Sequence, residues 1–198
     1  LNYADAVGLD STDYTLLVYA FYADRAQSIL ESGLYEPKTD DENELDENLV
    51  RLSTDFTWTC PNQEAALATA AKNNKVYLGE FDLGIKAASN AYYSLCEGKV
   101  GHEDDISVVF NTPSTGSLSS AQKSLVSEVQ ARWAAFAQTG NPNPTGSSSS
   151  SSQYATWPAL SSSSGSGIQV LALGKSSDGL GVVVNSQRTE ACALYASA

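Results

Sequence analysis

Several residue types are missing or scarce in this 198-residue chain: methionine is absent, histidine occurs once and cysteine three times. Without an initiator methionine, we expect the chain to have been cut from a longer polypeptide. No basic segment followed by an apolar one opens the sequence, so no signal peptide is expected in this form. The longest nonpolar run, residues 16–23, is too short to cross a bilayer. An odd number of cysteines allows at most one internal disulfide and leaves a free thiol.

Positively charged side chains are also scarce, with 11 Lys plus Arg against 23 Asp plus Glu and a formal net charge of −12. Phosphate binding needs Lys and Arg to displace counterions, so we expect no nucleic acid partner. With 42% hydrophobic and 17% charged residues, the composition excludes a disordered chain and a coiled coil. A chain of this length can bury one hydrophobic core.

The hydrophobic pattern alternates between helical and strand-like segments. Helical spacing predicts helices in residues 10–35 (with a break near Ala23 and Asp24), 50–73, 119–139 and 190–198. Short apolar runs predict strands in residues 75–82, 168–173 and 182–184. This alternation predicts an α/β fold.

The clearest predicted element is the helix over residues 119–139. Its apolar stripe includes Trp133 and Phe136, and Gly140 provides a stop signal. Glu128 and Arg132 are spaced to pair at i,i+4. We therefore expect an amphipathic helix.

Two polar segments are expected at the surface. The acidic run at residues 40–47 is typical of a solvated loop or a helix N-terminus, where carboxylates complement the helix dipole. A calcium loop would need the EF-hand spacing and its central glycine, which are missing. The serine-rich stretch at residues 145–167 predicts a flexible loop.

The single histidine, His102, is followed by Glu103, Asp104 and Asp105. It can be interpreted as a surface histidine, as a metal ligand or as a general base. Zinc sites usually combine several His or Cys ligands, and no such spacing occurs here. An imidazole can carry a proton in both directions near neutral pH. A general base needs a nucleophile, however, and the sequence contains no Gly-x-Ser-x-Gly motif.

Five separated segments together resemble the C-terminal portion of the type-B carboxylesterases and lipases, the cholinesterase-like branch of the α/β-hydrolases. In chain order they are residues 54–61 (TDFTWTCP), 76–82 (VYLGEFD), 102–110 (HEDDISVVF), 133–142 (WAAFAQTGNP, followed by WP at 157–158) and 188–192 (RTEAC). The resemblance spans nearly the whole chain. It implies that residues 1–198 are the C-terminal segment of one α/β-hydrolase domain, incomplete without its N-terminal part, and that the source is fungal.

The resemblance assigns roles in ester hydrolysis to residues of this chain. His102 would be the general acid/base of a Ser–Glu–His triad, in which the histidine follows a late strand of the sheet. The serine and the acid would lie upstream, the acid just before Leu1. Asp105 matches the family's acidic position, either as an orienter of the imidazole or as a plain surface carboxylate. Glu103 stands where many relatives have glycine, which changes the freedom of the loop.

The cysteines take roles from the same resemblance. Cys60 and Cys192 match two positions that pair in cholinesterase-like members, and Cys96 would then be a free thiol. A disulfide closing so long a loop stabilises by about 4–5 kcal/mol in the chain-entropy estimate. It would indicate an oxidising, extracellular compartment. The alternative is three reduced thiols in a cytosolic protein.

The expected function is therefore a secreted serine esterase or lipase, which needs no cofactor and no metal. Its expected partners are the N-terminal segment of the same enzyme and an ester or lipid substrate. Tyr92, Tyr93 and Phe110 would line a substrate pocket or else belong to the core or lid. The alternative is a non-catalytic proteolytic fragment, or a binding protein of the same ancestry, in which His102 is a relic.

Overall fold

A computed structural model describes residues 9–85, 99–101, 103–112, 118–145, 153–161 and 167–196. The chain divides into two compact units. The first, called the helical unit, comprises residues 1–65 and 187–198. The second, called the sheet unit, comprises residues 66–186.

The described part of the helical unit consists of helices that the sequence signals well. Helix α1 (Ser11–Tyr22) is followed by a 3₁₀ turn (Ala23–Arg25) and by α2 (Ala26–Glu31), so the predicted break near Ala23 is confirmed. The side chain of Asp10 caps α1 by accepting hydrogen bonds from the Thr12 and Asp13 backbone N–H groups at 2.8 and 2.9 Å. Such a cap satisfies donors that a helix start leaves without partners.

The acidic run forms the beginning of the next helix. Helix α3 (Glu42–Thr54) is capped by Asp41, whose side chain accepts from the N–H groups of Asn43 and Glu44. The interpretation as a helix N-terminus is thereby confirmed. A π-helical turn (Asp55–Thr59), α4 (Cys60–Ala70) and the C-terminal helix α7 (Thr189–Ala196) complete the helical segments that contribute to this unit.

The core of the helical unit is built from the apolar faces of its helices. Its fully buried members include Tyr14, Val18, Ile29, Leu45 and Leu52. Burying side chains of this size stabilises by about 1.5–3 kcal/mol each. The helices therefore owe their stability mainly to this shared face, as expected for short helices.

The sheet unit contains a mixed three-stranded sheet in the order β1-β2-β3. The strands are β1 (Gly79–Phe81), β2 (Gln169–Leu173) and β3 (Val182–Asn185). β1 runs parallel to β2, with Glu80 opposite Ala172, and β3 runs antiparallel to β2, with Val183 opposite Leu171. The first strand is shorter than the predicted run of residues 75–82. The mixed sheet and the helices of this unit form part of an α/β-hydrolase fold.

Among the described residues between β1 and β2, two segments are α-helical. Helix α5 (Asp104–Phe110) contains the β-branched run that follows the histidine, and its Val108 is buried in the core of the sheet unit. Helix α6 (Ser120–Thr139) confirms the predicted helix. Ser119 caps its start with Gln122 in a reciprocal capping box, and Gly140 ends it at a φ of 71°. That left-handed conformation suits glycine, which has no Cβ.

Burial on α6 differs from the predicted apolar stripe. Leu125, Val126 and Val129 are buried, but Trp133 is 38% and Phe136 49% exposed. The predicted pair of Glu128 and Arg132 is present and lies entirely in the interior, with both side chains 0% exposed.

The serine-rich stretch contributes one large side chain to the core of the sheet unit. Trp157 is buried, and its indole N–H donates to the Leu78 carbonyl at 3.0 Å. A Cβ on Gly79 would approach the Trp157 ring to 2.8 Å, so the ring packs directly on the β1 backbone. The flexible loop predicted for residues 145–167 therefore contains a segment held by a long-range contact. Its remaining flexibility stays a prediction.

Candidate active site

The residue chosen from the sequence as general acid/base, His102, lies outside the residues that the structure describes, as do Cys96, Tyr92 and Tyr93. Both sides of the histidine position are described, at residues 99–101 and 103–112. We call residues 99–112 the histidine loop. Its described residues, 99–101 and 103–112, flank position 102 in the chain.

The backbone immediately after the histidine position adopts a conformation typical of glycine. Glu103 precedes the first residue of α5 and has φ 69° and ψ 7°, in the left-handed region. That region costs a residue other than glycine about 1–3 kcal/mol, and such outliers cluster at functional sites. This left-handed backbone agrees with the resemblance, in which many relatives have glycine at this position.

The next residue, Asp104, ties the loop together. Its carboxylate is only 3% exposed and accepts a hydrogen bond from the Gly101 N–H at 2.7 Å. In return, the Asp104 N–H donates to the Gly101 carbonyl at 3.3 Å. Residues 101 and 104 are thus joined in both directions. The sequence analysis did not assign a role to this aspartate. The pattern that could have indicated one is an acidic residue three positions after a glycine, at the start of a helix.

Asp105, the acid that matches the family position, is exposed in the first turn of α5. The structure places it on the solvent side of the helix. Phe110, at the other end of α5, is also exposed. Neither side chain belongs to the core of the sheet unit in this structure.

The histidine loop is anchored beside the end of β1. A Cβ on Gly84 would overlap the Lys99 carbonyl oxygen, so the two backbones lie in direct contact. The Gly84 carbonyl in turn accepts a hydrogen bond from the Gln122 side chain at 3.0 Å. With Val108 buried in the core, the loop is fixed at its start and at its end.

A second cluster of titratable groups lies in the helical unit. Arg188 donates through Nε to Asp55 Oδ1 at 2.8 Å and through Nη2 to Oδ2. Tyr35 also donates to Asp55 Oδ2, at 2.7 Å. Burial, and then the hydrogen bond to the Asp55 carboxylate, raises the pKa of Tyr35 above its ordinary value. The Asp55 carboxylate is buried and compensated, which is how an interior charge is tolerated.

A disulfide links Cys60 at the start of α4 to Cys192 in α7, with the two Cα atoms 5.0 Å apart. Both cysteines are buried in the helical unit. The bond ties together segments separated by 132 residues. Cys60 and Cys192 are the two positions that the family resemblance pairs.

A cavity of about 330 Å³ lies in the sheet unit. Its aromatic walls include Tyr77, Trp133, Phe136 and Trp157, with ring centroids 6.1 Å apart for Tyr77 and Phe136 and 6.0 Å apart for the two tryptophans. The described residues that line it include no carboxylate, histidine or serine. The cavity therefore does not itself supply an acid/base pair for ester hydrolysis.

The described part of the chain contains neither a cluster of metal ligands nor a membrane-spanning helix. No group of three His, Cys, Asp or Glu side chains there could hold a metal ion. No helix among those residues is both long and apolar enough to span a membrane.

Residues 8–193 match the family model described as the carboxylesterase family. The chain belongs to the carboxylesterase family. Carboxylesterase 4A from Bos taurus is 30% identical over 116 residues, which make up 58% of this chain and 20% of that protein. The match thus spans about a fifth of the length of this relative. The fungal source suggested by the resemblance stays a prediction.

Proposed function

We propose that this chain supplies the general acid/base histidine, His102, of a Ser–Glu–His triad in a serine carboxylic ester hydrolase of the esterase or lipase type. The observation that carries the proposal is the family match across residues 8–193, which contain the histidine loop. The serine and the glutamate would lie on an N-terminal segment of the same enzyme, held non-covalently or through a disulfide.

In this mechanism the imidazole moves one proton in each half of the reaction. As the serine oxygen attacks the ester carbonyl carbon, His102 takes the hydroxyl proton and then gives it to the leaving alcohol. Water next attacks the acyl-enzyme, with the same imidazole accepting the proton of water and returning it to the serine. The products are the alcohol, the carboxylic acid and the regenerated enzyme. The reaction uses no cofactor.

The geometry of the histidine loop supports this role. The backbone next to residue 102 is left-handed at Glu103, Gly101 is tied to Asp104, and α5 is anchored through Val108. Catalytic groups usually lie on loops that a rigid scaffold positions. A loop fixed at both ends is suited to hold an imidazole within reach of a nucleophile on another segment.

The proposed compartment is extracellular, and the proposed substrate is a carboxylic ester or a lipid. The disulfide between Cys60 and Cys192 supports an oxidising compartment, because such bonds are rare in reducing cytosol. The family supports ester chemistry without indicating which ester is cleaved.

The test is labelling of the purified native protein with a fluorophosphonate probe, which reacts with an activated serine. His102→Ala should slow labelling and ester hydrolysis by about 10²–10⁴-fold, the usual contribution of a general base. Asp24→Ala, at an exposed position in the helical unit, is the matched control and should label at the wild-type rate. Labelling that persists undiminished in His102→Ala would remove the histidine from the mechanism.

The absence of Gly-x-Ser-x-Gly from the sequence favours a second candidate, a non-catalytic fragment or binding protein of the same ancestry. Intact-mass measurement of the native protein separates the two. A co-purifying chain with a Gly-x-Ser-x-Gly peptide supports the esterase. A 198-residue chain alone, without labelling, supports the non-catalytic candidate.

A further inference from the structure

Asp104 is a buried residue to which the proposed mechanism assigns no role. The triad acid is expected on another segment, and the acid that matches the family position is Asp105. Yet Asp104 is 3% exposed, whereas Asp105 lies in solvent. A buried carboxylate needs compensating hydrogen bonds, because losing water without them is costly.

One compensating hydrogen bond comes from the backbone directly before the histidine. Gly101 N–H donates to Asp104 Oδ2 at 2.7 Å, a short distance typical of a hydrogen bond to a charged acceptor. The Asp104 N–H donates to the Gly101 carbonyl at 3.3 Å. The two hydrogen bonds close a ring of backbone and side chain that contains residues 102 and 103. The position of Gly101 is thereby defined relative to α5.

The same ring contains the left-handed residue. Glu103 has φ 69°, a conformation that persists in a residue other than glycine only where the surroundings enforce it. On its other side, Asp104 is followed one helical turn later by Val108, which is 1% exposed in the core of the sheet unit. Asp104 thus links Gly101, the residue before the histidine, to a helix that packs in the core of the sheet unit.

We propose that Asp104 is a positioning residue: its buried carboxylate holds the backbone on both sides of His102 and so sets the reach of the imidazole toward the serine. This inference rests on the proposed role of His102. In this proposal Asp104 acts through the hydrogen bond that its carboxylate accepts from the Gly101 N–H. A misplacement of about 1 Å at a catalytic group can cost roughly 10²-fold in rate.

The experiment compares variants of the native enzyme in the hydrolysis of p-nitrophenyl butyrate. Asp104→Ala removes the acceptor and should lower kcat by about 10–100-fold, with KM changed less than about threefold, because only positioning is lost. Asp104→Asn keeps an oxygen that can accept from Gly101 N–H and should restore kcat to within about threefold of wild type. Asp24→Ala, an exposed first-turn aspartate in the helical unit, is the matched control.

A second measurement tests the hydrogen bond itself. Amide hydrogen exchange at Gly101 should be faster in Asp104→Ala than in wild type and unchanged in Asp104→Asn. If Asp104→Ala does not fold, Gly101→Pro removes the same hydrogen bond from the donor side and should give the same loss of kcat.

Three results would overturn the proposal while leaving the function intact, provided that His102→Ala is inactive. They are wild-type kcat in Asp104→Ala, an Asp104→Asn variant as defective as Asp104→Ala, and a loss of kcat at Asp105 with none at Asp104. Full activity in His102→Ala would instead overturn the proposed function, and the positioning role with it.

Discussion

The buried ion pair of α6 should respond very differently from a surface ion pair when one partner is removed. Both side chains are 0% exposed, and Arg132 Nε and Nη2 donate to Glu128 Oε1 at 2.8 and 2.7 Å. Glu128 Oε2 also accepts from the Gly181 N–H at 2.7 Å, and Arg132 donates to the Ala155 carbonyl at 2.7 Å. Arg132→Met leaves the carboxylate buried without its countercharge. We expect it to lower the free energy of unfolding by about 3–5 kcal/mol.

The double variant separates the ion pair from simple packing. Glu128→Leu alone leaves the guanidinium uncompensated and should also cost about 3–5 kcal/mol. In Glu128→Leu/Arg132→Met neither charge of the pair is present. The main loss of stability then comes from the Gly181 N–H and the Ala155 carbonyl, which lose their hydrogen-bond partners at a cost of about 1–3 kcal/mol each. The double variant should therefore lose about 2–6 kcal/mol, against about 6–10 kcal/mol for the sum of the single losses.

The assay is urea unfolding followed by tryptophan fluorescence, since the Arg132 guanidinium lies 5.8 Å from the centroid of the Trp157 ring. The matched control is Lys175→Met. Lys175 pairs with Asp82 at 2.9 Å while the two side chains are 47% and 42% exposed, so its loss should cost less than about 1 kcal/mol. Two results would contradict a high cost for an unpaired buried charge. One is a loss of stability in Arg132→Met no larger than that in Lys175→Met. The other is a loss in the double variant that equals the sum of the two single losses within about 0.5 kcal/mol.

Two further predictions concern the histidine loop and the helical unit. Gly84→Ala would place a Cβ on the Lys99 carbonyl and should cost about 1–3 kcal/mol by overpacking while also slowing fluorophosphonate labelling; wild-type stability and labelling would refute the close contact. Burial raises the pKa of Tyr14 from 10.0 to about 12, so its stabilising contribution is complete below pH 10 and is lost as the pH rises through about 12. Between pH 10 and 12 the free energy of unfolding should fall less steeply with pH in Tyr14→Phe than in wild type. Identical slopes for the two proteins would contradict the raised pKa of Tyr14.

Local signals were sufficient to predict α1 and α6, but no predicted helix covers α5. The predicted helices begin at Asp10 and Ser119, which the structure uses as caps, and Gly140 ends the second helix as expected. These features depend on neighbours within four residues, so the sequence displays both partners of each interaction. The same holds for the break at Ala23, where two helical patterns fall out of phase.

Long-range partners account for what the sequence did not show. The i,i+4 spacing predicts the Glu128–Arg132 pair, but its burial depends on Gly181 and Ala155, which are 53 and 23 residues away. The placement of Trp157 in the core likewise depends on the Leu78 carbonyl, 79 residues away. The stretch around Trp157 was predicted to be a flexible loop because it is rich in serine. A single tryptophan can nevertheless hold such a segment against the core.

The choice between the two acids after the histidine illustrates the same limit at the candidate site. Matching to the family selects Asp105, whereas helix geometry places Asp104 and Val108 on one buried face because they are four residues apart. Asp105 falls on the adjacent, exposed side of the same turn. Only the buried acid reaches back to the backbone that carries His102, through Gly101. If the two aspartates exchange roles in the kcat comparison, the orientation of α5 described here is wrong, and not merely the assignment of one side chain.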